Sequence, residues 1–264
     1  MISLSAVWAI ALRHLRLYKR DPNFLLINMY WPLLDIITWG FLGLWIAQSG
    51  TQTFNNYEMV SLLGVLLWLI VGRGANTIAF GFTEEIWSNN ILNLFSLPLR
   101  MAEWIGGIIV YFLTMMMLTI SFSFLFIYSL YNVPMSGLLH NFLLFAGPLF
   151  FCAIWLGFIF LLIVTIMGKR GMELGFVSIW FLLPFSGAYY PIDILPAWGK
   201  AISSLIPMSY IFTAMRQFVG HQHNPLFNLM IGTIMSIVYA GGAIGLFIYA
   251  FNRSKQKGLV RLMD

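Results

Sequence analysis

Six apolar runs, at residues 24–47, 59–81, 104–130, 142–167, 172–188 and 226–251, dominate this chain of 264 residues. About 20 apolar residues in a helix cross roughly 30 Å of hydrocarbon. Five of the runs exceed that length, and the fifth, 172–188, is the shortest. Only 9% of the residues are charged, against 60% hydrophobic. A water-soluble domain carries about a quarter charged residues. A chain this poor in charge cannot cover itself with a solvated surface, so its outer face is expected to meet lipid. Aromatic residues make up 17%, ten of them Trp, which suits two interfacial belts. The expected class is an all-α integral membrane protein with six transmembrane helices, folded as a single domain over 1–264.

The distribution of basic residues orients the spans. Arg13, Arg16, Lys19 and Arg20 precede the first run, Arg100 follows the second, and Lys169 and Arg170 divide the fourth from the fifth. Arg253, Lys255, Lys257 and Arg261 follow the sixth. These eleven fall on one side, Lys200 and Arg216 on the other, and Arg73 lies inside a run. The positive-inside rule then predicts both termini in the cytoplasm. The net charge of +5 comes from these topogenic clusters and is no nucleic-acid signature. No secretory leader is expected, because the charges near the N-terminus follow the apolar stretch. A single cysteine, Cys152, leaves no intramolecular disulfide.

Three segments between the runs are unusual. In 1–20, Leu4, Val7, Trp8, Ala11 and Leu15 share one helical arc and Arg13, Arg16 and Arg20 the other. This is an amphipathic interface helix, expected to lie apolar face down on the cytoplasmic leaflet. Asp21-Pro22 ends it, with Asp21 suited to cap the next helix and Pro22 to fill its first turn. Segment 82–98 reads as a short cytoplasmic helix: Thr83 as cap, Glu84 and Glu85 at its positive end, Pro98 as its stop. Its apolar residues call for a surface to dock against. Segment 191–219 is apolar but cut by Pro196 and Pro207 into pieces of roughly ten residues, each rising about 15 Å. Neither piece crosses, and the basic tail must still end inside. The pair is expected to enter and leave on the outer side as a re-entrant hairpin before the last span.

Two ionisable residues lie deep within runs. Asp35 sits about 17 Å and Arg73 about 12 Å from the cytoplasmic ends of their runs. A lone charge at such depth costs several kcal/mol on insertion scales of about 3, so partners are expected. An ion pair between them would line a translocation path, with Asn76, Asn28 and Thr38 adding polarity. Elsewhere, chemistry is scarce. The stretch GRGANTIAFG at 72–81 lacks the Lys of a phosphate loop, so ATP hydrolysis by that route is not expected of this chain. His221 and His223 have no nearby carboxylate or thiol to complete a metal site, and no metal is expected. An ion-gradient-driven secondary transporter would want midplane carboxylates and repeated halves, and a lipid-modifying enzyme a polar cluster at one interface. Neither pattern is evident.

The organisation resembles the membrane subunits of type 2 ABC exporters. The resemblance covers nearly the whole chain. Its most specific part is Ser186-Gly187-Ala188, then Leu195-Pro196, then Pro207-Met208-Ser209-Tyr210 with Arg216 six residues beyond Tyr210. The second part is Glu84-Glu85 with Leu92, Leu94 and Leu97-Pro98, where Asn89-Asn90 stands in place of the Gly-Thr often seen. The resemblance implies a homodimer of permeases around a central path, each resting on a separate ATPase subunit that carries ATP and Mg. It implies that Glu84, Glu85, Trp87, Ile91, Leu94 and Phe95 couple this chain to that subunit. Pro196, Pro207, Tyr210 and Arg216 would belong to an extracellular lid. The setting would be the bacterial inner membrane. Membrane lipid, and no nucleic acid, would complete the list of partners. The implied cargo is a lipophilic small molecule, a drug or a lipid- or glycan-linked compound, moved outward.

Overall fold

A computed structural model describes residues 3–20, 22–48, 57–131, 135–220 and 224–257. Asp21, His221 and His223 lie outside the described residues. Eleven α-helices are described: α1 (Leu4–Arg20), α2 (Pro22–Gln48), α3 (Tyr57–Trp87), α4 (Ile91–Ser96), α5 (Met101–Leu130), α6 (Met135–Met167), α7 (Gly171–Phe181), α8 (Leu183–Ser186), α9 (Ala197–Ser203), α10 (Pro207–Val219) and α11 (Pro225–Lys257). No strand occurs among the described residues. Among the described residues, five stretches are long and apolar enough to cross a membrane: Asn28–Ile46, Met59–Trp87, Met101–Leu130, Met135–Ser186 and Pro225–Gln256.

The fourth stretch, of 52 residues, covers the two runs expected at 142–167 and 172–188. After α6 the chain makes a 3-10 turn at Gly168–Arg170, entered by Gly168 with φ of 67°, a left-handed conformation that glycine adopts without steric cost. α7 then folds back antiparallel on α6: the Phe160 and Phe176 rings lie 5.1 Å apart, and a Cβ on Gly171 would meet the Ile163 carbonyl at 2.9 Å. Phe176 packs on Phe80, and Ala188 reaches the level of Gly64, so α7 and α8 rise about 24 Å along α3.

α3 is the central helix and is almost wholly buried. α2 and α5 flank it antiparallel, while α6 runs parallel to it. Close approach relies on glycine. A Cβ on Gly74 would sit 2.5 Å from Phe112 of α5 and 2.8 Å from Ala153 of α6. One on Gly157 would sit 2.8 Å from Ile78. Small residues at such contacts let helices pack by dispersion where no hydrophobic effect operates between them. α11 lies beside α6, with Phe158 and Phe247 5.5 Å apart. These directions bring α1, the end of α3, α4, the start of α5, the 3-10 turn and the end of α11 to one end of the bundle. That end holds the described members of the basic clusters.

The amphipathic helix departs from expectation. α1 is helical as read, but it packs along the first turns of α5 rather than lying free on a leaflet. Ile10 and Val7 fill the space beside Gly107, Ala11 packs with Tyr111 and Met115, and the Ser3 amide donates to Glu103 Oε1 at 2.8 Å. Leu4 and Trp8 stay exposed. The apolar arc is wide enough to divide: one edge is taken by protein and the other stays exposed.

Candidate functional site

The end that holds the basic clusters, called the inner end for the orientation expected of them, is built on one carboxylate. Glu85 closes α3 and is only 1% exposed. Its Oε2 accepts from the Arg13 guanidinium of α1 at 2.7 Å and from Asn90 Nδ2 at 2.8 Å. His14 Nε2 lies 3.9 Å from Oε1, too far to donate. Burial, aided by neighbouring Arg13, pulls the His14 imidazole down to about 4, so it is neutral at physiological pH and this contact is no ion pair. Sequence reasoning placed Glu85 at this end but missed Arg13 as its partner. It also missed Glu103, which accepts from the Arg100 amide at 3.0 Å and the Ser3 amide at 2.8 Å. The three-residue spacing of Arg100 and Glu103 at a helix start was the available signal.

The expected helix over 84–97 is two pieces. Thr83 is no cap: it lies inside α3, and its hydroxyl donates to the Ala79 carbonyl at 3.2 Å. α3 runs on through Glu84, Glu85 and Trp87. The chain turns at Asn89, whose φ is 52°, and only Ile91–Ser96 forms a separate helix. Asn tolerates this left-handed position better than most residues, which explains how Asn89-Asn90 makes the turn.

The docking face also differs. Ile91, Leu94 and Phe95 were expected outward, yet all three are buried in their own chain. Phe95 sits 4.6 Å from Phe251 and 6.2 Å from Trp104. Phe82, Trp104 and Phe247 extend this cluster, with centroids 5.5–5.9 Å apart. A six-residue helix must bury its 91/94/95 stripe somewhere, and the aromatic rings of α3, α5 and α11 provide the bed. The outward residues are Trp87 (49% exposed), Leu92 (38%) and Leu97 (60%). Beside them an apolar groove of about 350 Å³ opens between α1 and α4, lined by Ala6, Ala9, Ile10, Leu97, Pro98 and Leu99.

Midway along the bundle, Asp35 and Arg73 each lie about 20 Å from the inner end of their helix. The longer α3 accounts for the greater depth of Arg73. The two are within electrostatic range of each other and of Tyr189. No ion pair within 4.0 Å joins them among the described residues. The Arg73 guanidinium instead lies over the Trp31 ring, 5.7 Å from its centroid, and Nε is buried without a hydrogen-bond partner. Trp39, one turn beyond Asp35, stacks on Tyr189 with centroids 4.1 Å apart and planes at 8°. One turn past Arg73, Asn76 is 7% exposed with an unpartnered Oδ1, and Asn28 of α2 has an unpartnered Nδ2. Pro32 has no N–H, so the Asn28 carbonyl also loses its helical donor.

At the opposite end, Pro196 and Pro207 open α9 and α10 as the sequence suggested. α10 lies antiparallel on α11: Asn228 donates to Gln217 at 2.9 Å, and a Cβ on Gly232 would meet the Pro207 carbonyl at 2.9 Å. The Pro207 end is therefore about 10 Å below the start of α11. Tyr210 donates to the Ser204 carbonyl at 3.0 Å. Arg216 donates to the carbonyls of Gly187 and Phe212. Gly187, at φ of 73°, caps α8 in a left-handed conformation that aims its carbonyl at Arg216. A polar cavity of about 400 Å³, bordered by Asp193, Lys200, Tyr210 and Gln217, opens between α9 and α10.

A family profile described as ABC-2 type transporter matches residues 5–220. The match takes in α1, the Glu84–Pro98 segment, both mid-depth charges and the proline-broken hairpin. A search of curated proteins finds no match. Four-fifths of the sequence falls within the profile, and the helices it covers carry the features just described: the chain belongs to the ABC-2 type transporter family.

Proposed function

We propose that this chain is the membrane-spanning permease subunit of an ATP-driven exporter. It spans a bacterial inner membrane six times with both termini in the cytoplasm; α7 and α8 together form the fifth span, and α9 and α10 form a re-entrant outer lid. Two copies pack around a central path. A separate ATPase subunit binds ATP and Mg and seats on the inner end. The cargo is a lipophilic small molecule, a drug or a lipid- or glycan-linked compound, taken from the cytoplasm or inner leaflet and released outside.

The observation that carries this reading is the mounting of α4. Trp87, Leu92 and Leu97 present an apolar patch outward, while Phe95 roots the same short helix among rings from α3, α5 and α11. A displacement applied to that patch is delivered to three spans at once, because close-packed rings transmit strain rather than absorb it. Glu85 ties α1 into the same unit through Arg13. Closure of the ATPase pair then moves these helices as a block, and the two states differ in contacts at α4, as any coupled switch requires. The test is co-purification of the permease with its ATPase subunit and the ATPase rate of the complex in liposomes. Leu92→Arg and Leu97→Arg together should abolish co-purification while leaving membrane insertion intact. Undiminished association and rate would remove this face from the mechanism.

A further inference from the structure

We infer that Asp35 and Arg73 receive a zwitterionic amphiphile, a headgroup carrying one cation and one anion joined to an apolar body. The inference rests on the exporter reading and names the charge pattern of its cargo. Asp35 has no hydrogen bond or ion pair among the described residues, and Arg73 has only the Trp31 face. Isolated charges at this depth are costly and ordinarily pair with one another or face a functional interior. Here Arg73 lies over Trp31, one helical turn from Asp35, and no ion pair within 4.0 Å joins the two charges among the described residues. A ligand with a single charge would satisfy one side chain and strand the other. A headgroup with both charges spans the gap, satisfies both, and leaves the site neutral overall.

The surroundings fit such a ligand. Trp31, Asp35 and Trp39 recur every fourth residue, so they form one stripe along α2. Trp31 is 49% exposed, which leaves the stripe open on one side. A cation held by Asp35 would lie beside the Trp39–Tyr189 stack, where aromatic faces add cation–π attraction. An anion would meet the guanidinium of Arg73, whose buried Nε has no hydrogen-bond partner and whose charge has no carboxylate within 4.0 Å among the described residues. The stacked rings supply a flat apolar wall for the body of the molecule.

The full chain in non-ionic dodecyl maltoside, with three radiolabelled probes, tests this. Lysophosphatidylethanolamine carries both charges, lysophosphatidylglycerol only the anion, and dodecylamine only the cation. The zwitterion should bind about tenfold more tightly than either of the others, because both site charges are engaged. Asp35→Asn should weaken the zwitterion and dodecylamine but spare lysophosphatidylglycerol. Arg73→Gln should weaken the zwitterion and lysophosphatidylglycerol but spare dodecylamine. Trp39→Leu, which keeps both charges, should weaken the zwitterion severalfold and serves if the charge variants fail to fold. Equal binding of all three probes overturns the inference. So does loss of folded protein in both single variants that is repaired in the Asp35→Arg/Arg73→Asp double variant without probe selectivity, since the two charges then serve each other. Binding is read here without the ATPase subunit, so its failure leaves the exporter reading intact. Failure of the unaltered permease to co-purify with an ATPase subunit fails that reading alone.

Discussion

Two acids divide this molecule between them, Glu85 buried and Asp35 half-buried. Glu85, at the inner end, is held by a guanidinium and a side-chain amide on a single oxygen. Asp35, at mid-depth, has no bonded partner among the described residues, and the nearby Arg73 leans on an aromatic ring. Glu85 joins α1, α3 and the turn into α4, and every neighbour it needs comes from its own chain. The mid-depth charges lie on the more open helix α2 and its neighbour α3, beside two asparagine atoms that also lack partners. Satisfied polar groups fix a structure, whereas unsatisfied ones at depth are a cost that only something absent from the fold can offset. The difference separates an acid fastened within its own chain from one that is not.

That contrast can be broken most forcefully at the inner end. Phe95→Ala should cost about 4 kcal/mol, the usual loss for a buried ring, and lower the thermal midpoint in detergent. Glu85→Ala should cost about 2 kcal/mol, because Asn90 loses its acceptor while the half-exposed Arg13 turns to water, and Arg13→Ala in that background should cost little more. Equal and additive losses would show that the Glu85 contact is not a coupled fastener. Acid should act through His14 in the same place. Its imidazole titrates near 6.5 when unfolded and at about 4 in the fold, so the unfolded chain binds the extra proton in between. Stability from this group is complete above pH 6.5 and falls as the pH drops toward 4. His14→Gln should flatten that part of the profile of melting temperature against pH.

Mid-depth changes sharpen the comparison by their small effect on stability. Asp35→Asn should shift the midpoint by less than about 1 kcal/mol in either direction, since no bond is lost, while transport in liposomes falls. A loss as large as that of Glu85→Ala would make Asp35 a fastener too. Smallest of all, Trp87→Ala on the exposed inner patch should alter stability by about 0.5 kcal/mol or less and act only on ATPase association.

The long helices were legible because hydrocarbon sets their length and few charges interrupt them. The proline breaks were legible for a similar reason: Pro196 and Pro207 cannot sit inside a helix without cost, and each opens one here. The facing of α4 was not legible. Ile91, Leu92, Leu94 and Phe95 put apolar side chains on most of its circumference, and only the distant Phe251 and Trp104 decide which go inward. The span of α3 was read short for a local reason. Thr83 and Glu84 suit a helix start, but a Thr hydroxyl bonded to a carbonyl four residues back serves equally well inside one. Asp35 and Arg73 were found by their charge alone. Their lack of contact depends on side-chain direction between two helices, which no spacing along one chain encodes.

The bed of α4 has a consequence for the order in which the molecule is made. Phe95 and Trp104 leave the ribosome early, but Phe247 and Phe251, on which they pack, follow about 150 residues later. Until α11 is inserted, this end lacks two of its five clustered rings and α4 has no complete seat. The facing of α4 is therefore settled only once α11 is in place, and not as its own residues emerge.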